Sequence, residues 1–172
     1  MTLIRNRRVE ADNWQLFKPV PVEGKTEITF PVIPADGDVI VPLAQWLEQR
    51  DALRARKGRT GVWLDAHEGA DLIAADAPKL PLIALNFPKF GDGRGLSTAR
   101  LLRERYGYQG ELRAIGDVFR DLVLGMHRCG IDSFALRDDQ DIDDTIKALE
   151  ELPVAYQASV DQPLPLFRRR AG

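Results

Sequence analysis

From residue 38 onward the chain repeats one theme: a short apolar run, a polar turn, then an amphipathic stretch. The apolar runs are DVIVP from Asp38, GVWLDA from Gly61, PLIALNF from Pro81, ELRAIGD from Glu111, SFALR from Ser133 and VAYQ from Val154. Most are continuous rather than alternating, as strands covered on both faces require. Strand and helix alternating at intervals of roughly 20–30 residues is the pattern of repeated βαβ units in a mostly parallel sheet. The expectation is an α/β fold: a mostly parallel sheet of about six strands with helices on both faces. An open sheet is preferred because the units fall short of the eight that close a (β/α) barrel. An incomplete barrel-like array of the same strands is the alternative.

The helical stretches carry their own punctuation. Leu43, Trp46, Leu47 and Leu53 fit one helical face before GVWLDA, and Val118, Leu122, Met126 and Cys129 form another after ELRAIGD. Asp117 stands at an N-cap position and Gly130 at a C-terminal one. In DDQDIDDTIKALEEL, Ile142, Ile146 and Leu149 face inward, with acids crowding the first turn as the helix dipole favours. The first 35 residues break the theme and read as one or two antiparallel, proline-rich edge strands.

At 172 residues the chain fits a single α/β domain over 1–160, with 1–35 as an edge extension and 161–172 as a flexible basic tail. Its net charge of −2 excludes a whole-surface nucleic-acid binder. No segment nears the ~20 apolar residues of a membrane helix, and MTLIRNRRVEADNW has no apolar run like that of a signal peptide. A reducing, cytoplasmic setting is the expectation. The single cysteine, Cys129, excludes an internal disulfide or a thiolate pair, and its place on an apolar stripe argues for core packing. Neither His67 nor His127 has a neighbour at metal-ligand spacing, so no metal and no cofactor is expected. Of the 24 basic residues, 18 are arginines, a bias compatible with anion recognition but also with genome composition.

Any anion affinity must be local, and one stretch suggests where. NFPKFGDGRGLSTARLLRER puts Lys89, Asp92 and Arg94 among Gly91, Gly93 and Gly95, where a strand hands over to a helix. In parallel α/β sheets, ligands bind beyond the carboxyl ends of strands, at loops leading into helix N-termini. Positive φ at the three glycines would bring backbone amides to a ligand. Lys89 and Arg94 would add charge to the helix start, with Ser97 capping it and Arg100 facing the same partner. Neither G-x-G-x-x-G nor a P-loop fits, so no nucleotide is implied. The structural alternative is a tight turn with Arg94 paired to an acid such as Asp117 or Asp65. Asp65, Asp92, Asp117 and Arg137 all fall at predicted carboxyl ends of strands, and Asp92 and Asp117 are the weak candidates for acid/base catalysis.

The run FPKFGDGRGLSTARLLRERYGYQGELRAIGDVFRD, followed by RCGID and SFALR, resembles a bacterial family known as domain of unknown function 934. The shared motifs include Asp92-Gly93-Arg94, Leu102-Arg103, Gly107-Tyr108, Gly110 to Ala114, Gly116-Asp117-Val118 and Arg128-Cys129-Gly130. The resemblance covers about Phe87 to Arg137. It implies a link to assimilatory sulfite or sulfate reduction, with sulfite reductase or another sulfur-assimilation enzyme as partner. It transfers no catalytic residue. Three functions follow as expectations. One is an accessory protein binding an oxyanion or anionic metabolite, and another is an enzyme acting on a phosphorylated or sulfated small molecule. The third is a scaffold docking on sulfite reductase through its arginines.

Overall fold

The structure is a computed structural model and describes residues 2–23 and 28–170. The N-terminal strands are β1 (Thr2–Arg5), β2 (Arg8–Glu10), β3 (Trp14–Leu16), β4 (Val20–Pro21) and β5 (Ile28–Thr29). Then come β6 (Asp38–Pro42), α1 (Leu43–Arg54), β7 (Thr60–Leu64), β8 (Leu82–Phe87) and α2 (Arg94–Glu104). The chain continues through β9 (Glu111–Gly116), α3 (Arg120–Arg128), β10 (Ser133–Leu136), α4 (Ile142–Ala148) and the single turn α5 (Leu166–Arg169).

Eight strands form one sheet in the order β2-β1-β10-β9-β8-β7-β6-β3, and β4 and β5 make a separate antiparallel hairpin. From β6 to β10 each strand lies beside its predecessor and parallel to it. A right-handed crossover that advances one place each time sends every connection over the same face of the sheet. Helices on both faces would need a reversal of strand order, and β6 to β10 contain none. The open two-sided sheet is therefore corrected: the sheet is a half-barrel with its helices on the convex side.

Two hydrophobic clusters record that asymmetry. The larger contains Val39, Val41, Val62, Leu64, Ile83, Leu85 and Phe87 from the strands, packed against Leu43, Trp46, Leu102, Val123, Met126 and Ala148 of the helices. The smaller, on the concave side, contains Leu3, Ile40, Leu82, Ala84, Ile115 and Ala135, covered by Trp14, Leu16 and Trp63, with no helical residue. Strand runs are thus apolar on both faces, as their continuity requires, yet only one cover is helical.

The N-terminal segment supplies the other cover. It reaches both edges of the sheet: β1 runs antiparallel to β10 with Ile4 opposite Phe134, and β3 runs parallel to β6 with Leu16 opposite Ile40. Between them the concave face holds Arg113, only 2% exposed, whose guanidinium meets Asp12 at 2.9 Å and Glu111 at 2.7 Å. The Trp63 indole donates to the Phe17 carbonyl at 2.9 Å, a further tie from core strand to N-terminal segment.

Because β1 occupies the position beside β10, VAYQ has no strand to join. It is irregular, with Val154 53% and Tyr156 67% exposed. Leu47 also departs from expectation: it is exposed, and Gln45 takes the buried place in α1, donating to the Pro31 carbonyl. The tail is tied down at its helical turn, where Leu166 N donates to the Tyr156 carbonyl and Arg169 to that of Ala155. Asp141 caps α4 through Asp144 N, and Gly130 ends the α3 region at φ +97°.

Gly116 closes β9 at φ +94°, where a Cβ would stand 2.5 Å from the Phe87 carbonyl oxygen. Gly116→Ala should therefore cost about 2 kcal/mol or more, a strained backbone plus a backbone clash. The check is a lowered urea midpoint at unchanged m-value.

Candidate functional site

The carboxyl ends of β7, β8, β9 and β10 deliver polar side chains to one edge of the half-barrel. At the end of β7, Asp65 Oδ1 accepts from the Asn86 amide and from Ala66 N, both at 2.8 Å. His67 Nδ1 stands 3.4 Å from Asp65 Oδ2, and Glu68 accepts from Asp65 N at 2.7 Å. Burial raises the Glu68 carboxyl above its usual range. Asn86 interrupts the apolar run of β8 on the concave side, so its amide holds Asp65 from the neighbouring strand.

The turn after β8 differs from the expected anion cradle. Gly91, Gly93 and Gly95 do not have positive φ, so none offers a left-handed nest of amides. Gly93 is the N-cap of α2, and Gly95 is small because the Phe87 ring lies on it, 2.7 Å from where a Cβ would be. The helix begins at Arg94, three residues earlier than expected, so Ser97 is not its cap and lies exposed at the end of the first turn. Arg100, a turn further on, is exposed and pairs with Glu104 at 2.9 Å. Neither Ser97 nor Arg100 joins the turn.

What the turn does contain is its own anion. Asp92, 9% exposed, accepts from Arg94 Nε at 2.9 Å and Nη2 at 2.6 Å, and from Arg94 N at 3.3 Å. A carboxylate thus sits at the start of α2, where the free amides and helix dipole favour negative charge. Arg94 foremost, with Lys89 adding its charge, pulls the Asp92 carboxyl down to about 2. Lys89 itself is exposed and has no ion-pair partner among the described residues. Its carbonyl closes the turn by accepting from Asp92 N at 3.0 Å.

The remaining edge residues pair in the same way. Asp117 does not cap α3, whose N-cap is Phe119; instead Asp117 Oδ1 accepts from Arg137 Nη1 at 2.7 Å. Arg137 also forks onto Asp139 at 2.5 and 3.0 Å, and this pairing holds the Asp139 carboxyl down to about 2. The Arg137 guanidinium lies 5.4 Å from the Phe119 ring centre, and Phe119 stacks on the exposed Phe90 at 5.1 Å and 17°. The two acids singled out for catalysis are thus each bonded to an arginine. Asp92, held well below neutrality, is a fixed counter-charge rather than a proton carrier at physiological pH.

Glu68, Asn86, Phe90 and Phe119 belong to this edge and escaped the sequence reading, which weighed His67 only as a metal ligand. One signal was present: Asn86 is polar inside an apolar strand run. Cys129 is half-buried against the core as expected, and burial raises its thiol. Among the described residues, no group of three His, Cys, Asp or Glu is placed to hold a metal ion, and no helix is long and apolar enough to cross a membrane.

The Asp92–Arg94 pair makes a pH prediction. The folded carboxyl titrates near 2 against an ordinary 3.8, so its stabilisation is complete above about pH 4 and is lost as the pH falls through 2. A carboxyl-detected NMR titration should place the Asp92 midpoint near 2. Asp92→Asn should remove this part of the acid dependence.

A family model described as bacterial protein of unknown function (DUF934) matches residues 61–167, from β7 to the C-terminal helical turn. No curated protein matches the chain.

Proposed function

The chain belongs to the bacterial family of unknown function DUF934, and for it we propose a binding role. The carboxyl edge takes a small oxyanion or anionic metabolite, with Lys89 as the primary contact and the outward face of Arg94 as the second. The observation that carries this reading is Lys89: an exposed cation beside the Asp92–Arg94 pair, without an ion-pair partner among the described residues. Arg94 is 61% exposed at its side chain and uses Nε and Nη2 on Asp92, so Nη1 remains for a ligand. Asp92 then has a defined role, fixing the orientation of Arg94 while supplying the charge that the helix start requires.

The edge carries five carboxylates, Asp65, Glu68, Asp92, Asp117 and Asp139, against Lys89, Arg94 and Arg137, so the ligand must be held by a few local contacts and not by a broad positive field. That favours a compact anion such as sulfite, sulfate or phosphate. The setting in assimilatory sulfite reduction, with sulfite reductase as partner, rests on the family resemblance alone.

A second reading is favoured by the Asp65–His67 contact at 3.4 Å. In it, His67 is a proton carrier oriented by Asp65, which Asn86 holds in turn, and the substrate is a phosphate or sulfate ester bound at Lys89. His67→Asn would then abolish ester hydrolysis while leaving anion binding intact.

The binding role predicts that sulfite, sulfate or phosphate at about a hundred times its Kd stabilises the fold by about 2.7 kcal/mol. Lys89→Ala should lose most of the resulting melting shift. An identical shift in that variant would remove Lys89 from the site. Capture of sulfite reductase that weakens with salt would support the proposed partner.

A further inference from the structure

We propose that a cavity at the opposite, amino end of the parallel strands is a second binding site, for a small amphipathic anion: a carboxylate or sulfonate on an apolar or aromatic body. The cavity measures about 500 Å³ and lies between the C-terminal half of α1 and the starts of β7 and β8. That volume falls within the range of small-molecule sites, roughly 300–1,000 Å³. It is a strand length away from Lys89 and does not depend on the reading given to the carboxyl edge.

Its walls divide into two chemistries. Leu53, Leu80, Pro81 and the Trp46 ring form an apolar floor. Arg54, Arg59 and Lys79 form the rim, and no acidic residue lines the cavity among the described residues. The other large cavity, about 450 Å³, mixes Arg103 and His127 with Asp132 and Asp161 and offers no such polarity.

The rim cations are only partly compensated from behind. Asp76, 4% exposed, accepts from Trp46 Nε1 at 2.9 Å and meets both Arg54 at 2.6 Å and Arg50 at 3.0 Å, so one carboxylate serves two guanidiniums. Asp38 matches Arg59 one for one at 2.5 Å. Lys79 is exposed and has no ion-pair partner among the described residues. A positive surplus therefore remains at the mouth of an apolar hollow. The same Asp76 contacts keep Trp46 and Arg54 in place, with the guanidinium 5.5 Å from the indole ring centre, so the wall is preorganised.

An inorganic ion would leave the leucines and proline facing loosely held water, and a neutral apolar molecule would leave the cations unused. A ligand with an apolar body and one anionic group satisfies both, displacing that water while placing charge at the rim.

Anilinonaphthalene sulfonate has this chemistry and is the probe for a fluorescence titration on the full chain. The expected result is one saturable site that weakens with salt and raises the melting temperature, a response that dye capture by loosened protein would not give. Lys79→Glu should weaken binding about tenfold, equivalent to about 1.4 kcal/mol. Uncharged phenylnaphthylamine should bind more weakly by a similar factor. Lys89→Ala should leave the titration unchanged, which separates this site from the carboxyl edge. Equal affinity in Lys79→Glu, equal binding of the uncharged analogue, or no saturable binding would each overturn the proposal.

Discussion

Right-handed crossovers between strands that advance one place at a time set the shape of this protein. With β6 to β10 in sequential order, every helix must pack on one face, and that face alone receives a helical layer. The other face is just as apolar and needs a different cover. The N-terminal residues provide it, lining both sheet edges with β1 and β3 and bringing Trp14, Leu16 and Asp12 over the concavity. Arg113 is the consequence most sensitive to this arrangement. A guanidinium 2% exposed is tolerable only because Asp12 and Glu111 meet it there, so losing the N-terminal cover would strand a buried charge.

The same one-sided winding gathers the carboxyl ends of β7 to β10 on a single edge. That edge has the residue types of a site and an economy of charge that narrows what it can do. Arg94 and Arg137 each face a carboxylate, and Asp92 already fills the position at the head of α2 where an external anion would be drawn. What remains for a ligand is Lys89, the free edge of Arg94, and the Asp65–His67–Asn86 group on the next strand. The acids of this edge outnumber its cations, so no broad positive field surrounds Lys89.

The two ends of the strands differ in kind. The carboxyl edge is polar and largely self-paired. The amino end combines an apolar hollow with a rim of arginines and a lysine, held by Asp76 from α1 to the turn before β8. Asp76 shows how one buried carboxylate can serve structure and recognition together, since it fixes Trp46 and Arg54 without fully cancelling their neighbours' charge.

Local sequence carries local information, and here it was read well where neighbours along the chain decide. Continuous apolar runs such as VWL and LIAL specify strands buried on both faces, and Gly130 marks a helix end by a conformational freedom that needs no distant partner. The turn at 89–95 was recognisable as a place where charge meets a strand end. Its internal pairing was not, because whether Arg94 turns to Asp92, Asp65 or Asp117 depends on distances across the folded edge. Strand order and the one-sided helices likewise depend on which strands pair across the intervening helices and loops. The exclusion of VAYQ by β1 depends on contacts between segments more than a hundred residues apart. The sequence by itself determined where β6 to β10 and α1 to α4 lie, since periodicity and turn chemistry act over a few residues. Only the tertiary structure decided which charges meet and which surfaces stay open, since those follow from the order in which the strands lie side by side.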